Sequence, residues 1–237
     1  MKIACISDLH GHLPDLSAHD FDILLIGGDI CPTSSHKVAF QRQWLDTIFR
    51  KWLDAISVPV VSIAGNHDFI FQNAPDTVPK LDWTYLEDSG AEVLGLKIWG
   101  SPWQKWFGGW AFNAKEQDMK KKWDMIPDDT DIFLLHGPAY GLGDCVMSDN
   151  EHVGSPSLRE RIGVVQPKLV VYGHIHEGHG QYELGSTIVV NASYLNERYE
   201  PKNGLTIVDI SLHNTCSSIA DQPLSPENSS SCPMPTV

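Results

Sequence analysis

Short apolar runs rich in β-branched residues recur along the chain at Lys2 to Ser7, Asp22 to Ile26, Val58 to Ala64, Asp131 to Leu135 and Lys168 to Tyr172. Each is followed at once by Asp, Gly or His, the pattern of a buried strand with polar residues at its C-terminal end. Between the second and third runs, Val38, Trp44, Leu45, Ile48, Phe49, Trp52, Leu53 and Ile56 fall close to a 3.6-residue period, which predicts an amphipathic helix over Val38 to Ile56. Further helices are expected over Lys115 to Met125 and Ser157 to Val165. Gly185-Ser186 joins two strand-like segments, Gln181 to Leu184 and Thr187 to Asn191, as a hairpin, and Lys202-Asn203-Gly204 turns into a last strand over Leu205 to Ile210. Crossover helices early and hairpins late predict an α/β fold of two packed mixed sheets covered by helices.

From His213 to Val237 the chain turns to Ser, Pro, Asn and Cys with few large apolar residues, too little to offset the entropy of ordering a backbone. A flexible tail is expected there, with one domain over residues 1–212. The 237 residues hold 17 Lys and Arg against 30 Asp and Glu, a formal charge of −13. That balance argues against duplex nucleic acid or an anionic membrane as partner, while leaving room for a locally positive site that takes small anions. The N-terminus has no apolar leader core and no stretch approaches a membrane span, so the expectation is a cytoplasmic protein. Five scattered cysteines without a C-x-x-C suggest isolated reduced thiols rather than a disulfide framework or thiolate zinc site.

The chemistry lies in the polar clusters that close the strands: Asp8-Leu-His10, Gly28-Asp29, Gly65-Asn66-His67-Asp68, His136-Gly137 and Gly173-His174-Ile-His176. Strand ends of an α/β sheet converge on one edge, so clusters distant in sequence can form one site. Taken singly, Asp8 and His10 also read as a polar turn, Gly28-Asp29 as a loop end and His136 as a core histidine bonded to backbone. Taken together, Asp8, His10, Asp29, Asn66, His136, His174 and His176 supply carboxylate, carboxamide and imidazole in the numbers that two metal ions require. Two divalent ions offset by Asp8, Asp29 and a bridging hydroxide leave about +1, a charge that attracts phosphate.

In this order the motifs resemble the calcineurin-like metallophosphoesterase superfamily. Gly100-Ser-Pro-Trp103, Trp110-x-Phe112-Asn113, His136-Gly-Pro138, Gly173-His-Ile-His-Glu-Gly178 and Val190-Asn-Ala-Ser193 are similar to its class III cyclic nucleotide phosphodiesterase-like, metallophosphoesterase-domain-containing branch, over residues 1 to about 211. The resemblance implies a four-layer α/β/β/α sandwich. It implies one metal on Asp8, His10, Asp29 and His176 and a second on Asp29, Asn66, His136 and His174, with Asp29 the bridge. Some members of the branch carry Gly in place of one histidine of G-H-x-H; this chain keeps His174 and His176. Attack at phosphorus would come from a metal-bridging hydroxide, His67 would protonate or stabilise the leaving oxygen, and Asp68 would orient His67. The donor set suits manganese first, with iron, zinc, cobalt or nickel as alternatives. A homodimer is implied by the same likeness.

The substrate is less legible. Trp99, Trp103, Trp106, Phe107 and Trp110 crowd one Gly-punctuated segment and read mainly as core or loop packing, with nucleobase stacking as the alternative. His12 reads as a surface residue, His152 and His179 have no assigned role, and Lys120 to Lys122 read as a solvated helix face. No arginine lies inside a metal motif, which tilts the expectation toward small phosphodiesters, cyclic nucleotides among them, rather than monoesters. The competing readings are a phosphomonoesterase and a non-catalytic metal-binding scaffold.

Overall fold

The five runs form strands because nearly every residue in them is covered on both faces of a sheet. A computed structural model describes residues 1–147 and 150–210; the expected tail from His213 lies outside them. In chain order the strands are β1 (Lys2–Ile6), β2 (Ile23–Ile26), β3 (Val60–Ser62), β4 (Thr84–Tyr85), β5 (Ser89–Val93), β6 (Leu96–Ser101), β7 (Gln104–Lys105) and β8 (Asn113–Ala114). They continue as β9 (Ile132–Leu135), β10 (Cys145–Val146), β11 (Glu151–His152), β12 (Leu169–Tyr172), β13 (Gly180–Leu184), β14 (Thr187–Asn191) and β15 (Thr206–Asp209). The α-helices are α1 (Val38–Trp44), α2 (Arg50–Leu53), α3 (Phe69–Asn73), α4 (Glu116–Trp123) and α5 (Pro156–Val165).

One sheet has the order β15-β1-β2-β3-β4 and the other β13-β14-β12-β9-β6-β5. Strands β1 to β4 are mutually parallel, as are β14, β12, β9 and β6, while β15, β13 and β5 pair antiparallel at the edges. Ile3, Cys5, Leu25 and Val61 of the first sheet meet Ile98, Leu134, Val171 and Val190 of the second between the layers. The outer face of the first sheet is covered by Trp44, Leu45, Phe49, Leu53 and Ile70, and that of the second by Met119, Trp123, Leu158 and Ile162. This is the α/β/β/α sandwich the resemblance implied.

The long helix departs from its expected stripe. Between α1 and α2 the residues Leu45–Phe49 form a π-helical turn. That wider turn lets Phe49 follow Trp44 and Leu45 onto the sheet and leaves Ile48, expected on the apolar face, 55% exposed. The β5–β6 hairpin gives no clear signal in the sequence, because β5 alternates between half-buried and exposed residues instead of forming an apolar run.

Candidate metal centre

All five motif clusters leave the sheets at one edge of the sandwich. Asp8 and His10 follow β1, Asp29 follows β2, Asn66, His67 and Asp68 follow β3, His136 follows β9 directly, and His174 and His176 follow β12. The turn after β1 is stitched to the second sheet, Ser7 N–H donating to Ala192 O at 2.8 Å and Tyr194 N–H to Ser7 O at 2.8 Å. The backbone there is unusual. Asp8, His10, Asp29 and His174 all have positive φ, at 53°, 43°, 51° and 69°. Non-glycine residues take this left-handed conformation at a cost, and such strain clusters at functional sites. Two motif glycines have a steric role: a Cβ on Gly65 would fall 2.3 Å from Asp29 Oδ1, and one on Gly173 would fall 2.0 Å from Asp8 Oδ2.

The side chains converge in three overlapping groups, Asp8 with His10 and His176, His10 with Asp29 and His67, and Asp8 with Asp29 and His136; within each group the donor atoms lie within 4.8 Å of one another. Asp29 Oδ2 is 3.6 Å from His10 Nε2 and 3.6 Å from His136 Nε2, while His176 Nε2 is 3.5 Å from Asp8 Oδ1. Asn66 joins through its Oδ1, 2.9 Å from His136 Nε2. The ring of His174 lies outside these groups; its centroid is 5.1 Å from that of His136, and its backbone N–H donates to Asp8 Oδ2 at 3.0 Å.

Outer contacts fix the rings. His136 Nδ1 lies 2.9 Å from Gly27 O and His176 Nδ1 2.9 Å from Asn196 O, which leaves each Nε2 for the centre. Ser193 Oγ donates to Asp8 Oδ2 at 2.8 Å. His10 is buried and, among the described residues, neither of its ring nitrogens has a hydrogen-bond partner. A buried polar group without a partner is destabilising by about 1–3 kcal/mol, so an orphaned imidazole beside two carboxylates fits a metal ligand.

The electrostatics follow from burying acids against imidazoles. Burial works against the charge on Asp8, but the hydrogen bond and charge of His176 outweigh it and hold the carboxyl below its ordinary range. Asp29 is held well below that range in the same way, burial being outweighed chiefly by His136 and His67. In return, and against their burial, His136 is raised to about 9 by Asp29 and His176 to about 9 by Asp8. Burial dominates at His10 and His174, which it lowers to about 4 and about 3.

Asp68 does not orient His67. Its carboxylate accepts from the backbone N–H groups of Ile30, Cys31 and Gly65 at 3.1, 2.8 and 2.9 Å, so it clamps the turns after β2 and β3 together. Burial and the charge of Asp29 raise it to about 6. The partner of the His67 ring is His36, which no motif singled out; His36 Nε2 lies 3.0 Å from His67 Nδ1. Tyr199, also outside the motifs, places its ring 5.0 Å from those of both His10 and His176.

The aromatic segment divides. Trp99 is buried, Trp103 is half-buried with its Nε1 donating to Asp88, and Trp110 lies against His67 with ring centroids 4.2 Å apart. Trp106 and Phe107 are exposed and line a cleft of about 500 Å³ beside His174, together with Lys105, His152, Val153 and Ile175. His12 is exposed, as expected. Lys120 and Lys121 pair with Asp124 and Asp118 on the solvated face of α4, whereas Lys122 turns inward to Asp88 and over the Trp103 ring.

A mixed α/β sandwich with buried aspartates and histidines gathered at its strand ends defines a metallohydrolase-type centre. The model for calcineurin-like phosphoesterases matches residues 1–178, and the chain belongs to that family. It is 32% identical over 241 residues to metallophosphoesterase domain-containing protein 1 of Homo sapiens, covering 88% of this chain and 71% of that protein. A UPF0046 protein of Caenorhabditis elegans is 30% identical over 252 residues, 90% of this chain and 61% of that one. Two solved structures share the fold: TT1561 of Thermus thermophilus, with a TM-score of 0.53 at 17% identity over 88% of this chain and 98% of that one, and GAP50, the anchor in the inner membrane complex of Plasmodium, with a TM-score of 0.51 at 11% identity over 87% and 80%. The family supports metal-dependent phosphoester hydrolysis on a dinuclear centre. Among the described residues, no helix is long and apolar enough to cross a membrane.

Proposed function

We propose that this chain hydrolyses small phosphodiesters, with Asp8, His10, Asp29 and His176 holding one metal ion, preferably manganese, and Asp29, Asn66, His136 and His174 the other. The observation that carries this reading is the convergence of two buried carboxylates and four imidazoles, one with both nitrogens unpartnered, on one sandwich edge. When bound, the metals supply Lewis-acid polarisation of the phosphoryl oxygens and a water of lowered pKa. His67 presents Nε2 toward the same centre, 4.0 Å from Asp29 Oδ2, and is the group that meets the leaving oxygen.

Two observations support a diester over a monoester. The cleft beside His174 offers apolar surface for a second ester arm. Arg42, Arg50, Arg159 and Arg161 are engaged elsewhere, with Thr77 O, Asp46, Tyr140 O and Asp128, so none of these guanidiniums is in place to clamp a dianion. Cyclic nucleotides as substrates rest on the family likeness. GAP50 carries this fold as an anchor, so the fold by itself does not decide between enzyme and scaffold.

The test is metal content together with turnover of bis(p-nitrophenyl) phosphate and p-nitrophenyl phosphate in Mn²⁺. About two metals per chain and faster turnover of the diester are expected. Faster monoester turnover would make it a phosphomonoesterase, and metal-bound protein inert toward both would make it a scaffold.

A further inference from the structure

The ring of His67 is held from several sides. Its backbone N–H donates to Asp29 Oδ1 at 2.7 Å, its carbonyl accepts from Gln41 Nε2 at 2.7 Å, and one face of the imidazole packs on Trp110. Gln41 is itself buried and accepts from Ile70 N–H at 2.9 Å, which ties α1 to the start of α3 beneath the histidine. These contacts place the residue without choosing which ring nitrogen faces the centre. The choice is made at Nδ1, 3.0 Å from His36 Nε2. His36 precedes α1 and belongs to none of the motifs, and its ring is fixed between Phe69 at 5.1 Å and Trp110 at 5.3 Å between centroids, the latter edge-on.

We propose that His36 is a positioning residue for His67: by holding Nδ1 it aims Nε2 at the leaving oxygen of the substrate. The proposal rests on the hydrolase reading above. The two nitrogens lie on different edges of the imidazole, so a partner on one dictates what the other can reach. As the P–O bond to the leaving group breaks, its electron pair stays on the leaving oxygen. That oxygen is met by whichever edge of the imidazole faces it, so the contact at Nδ1 must keep the Nε2 edge turned toward it. A carboxylate in the place of His36 could only accept, whereas an imidazole also donates when His67 rests in its Nε2–H tautomer. His36 Nε2 can therefore hold Nδ1 whichever of the two nitrogens carries the hydrogen, and the ring need not turn.

The test compares His36→Phe, which keeps a ring between Phe69 and Trp110, with His36→Gln, which keeps a nitrogen able to hydrogen-bond. For bis(p-nitrophenyl) phosphate, His36→Phe should lower kcat by about 10- to 100-fold with KM and metal content unchanged, and His36→Gln should restore most of it. The loss should be greater for diphenyl phosphate, whose leaving group depends more on protonation. In a His67→Ala background, His36→Phe should cost nothing further, because it acts through that ring. An unchanged kcat in His36→Phe, no recovery in His36→Gln, or a full additional loss on top of His67→Ala would each overturn the proposal. If His36→Phe fails to fold, His36→Gln alone and combined with His67→Ala decides the same question. Wild-type protein inert toward all these esters, or His67→Ala as active as wild type, would instead overturn the reading of His67 on which the proposal stands.

Discussion

The two sheets contribute unequal halves to the centre. The turns after β1, β2 and β3 bring both carboxylates, Asp8 and Asp29, with Asn66, His10 and His67; the turns after β9 and β12 bring imidazoles alone, His136, His174 and His176. Either half by itself would be poor chemistry. Two buried acids without cations are strongly destabilising, and three histidines without carboxylates hold a hard metal weakly. Packing the sheets solves both problems, since Asp8 is held ionised chiefly by His176 and Asp29 chiefly by His136. The centre is thus a property of the sandwich rather than of either layer.

The harshest way to break this comparison is Asp29→Asn, which removes the acid facing histidines of both halves. Metal content and both ester activities should fall to background, and a variant that kept two metals and its activity would show that the first sheet does not anchor the site. Gly173→Ala attacks from the second sheet, pressing a methyl group onto Asp8 Oδ2. Metal affinity should drop by about 100-fold, measured by competition with a chromophoric chelator. Ser193→Ala removes a hydroxyl that reaches Asp8 Oδ2 across the halves and Asn191 Oδ1 within its own, and about a 10-fold loss of metal affinity is expected.

A subtler probe is proton release. His136 and His176 are raised to about 9 in the metal-free fold, so at about pH 7.5 both hold protons that a metal must displace. Metal binding should then release at least about two protons per chain, these two and any from ionised metal-bound water, seen as buffer-dependent heats in calorimetry, and should tighten as pH rises toward about 9. Gly163→Ala is the mildest change. It lies in α5 with nothing within 4 Å of an added Cβ, and should stabilise the fold by about 1 kcal/mol in thermal denaturation while leaving metal and activity untouched.

Legibility in the sequence followed burial. β1, β2, β3, β9 and β12 announce themselves because sheet strands covered on both faces must be apolar throughout, and the polar residue that ends each run is where the site begins. β5 was hidden by Gly90 and Ala91 and by its alternation, and Ile48 was misplaced because periodicity presumes 3.6 residues per turn where the helix takes a π turn. Donor types were readable at Asp8, His10, Asp29, Asn66, His136 and His176, all of which the fold brings together. Orientation was not. Asp68 adjoins His67 in the chain yet points to three backbone N–H groups, and His36, thirty-one residues away, takes the place expected for it. Proximity along a chain is a weak guide to side-chain partners at a tight turn, where neighbouring residues face different ways.

Strand β1 is flanked by β2 on one side and by β15 on the other, Ile3 pairing with both Ile23 and Val208. A ribosome therefore delivers one neighbour early and the other only after about 200 further residues. At about 5–20 residues per second, some 10–40 s of synthesis separate β1 from its second partner. Throughout that interval one edge of an apolar strand lies open to other chains. The arrival of β15 is the event that ends this exposure.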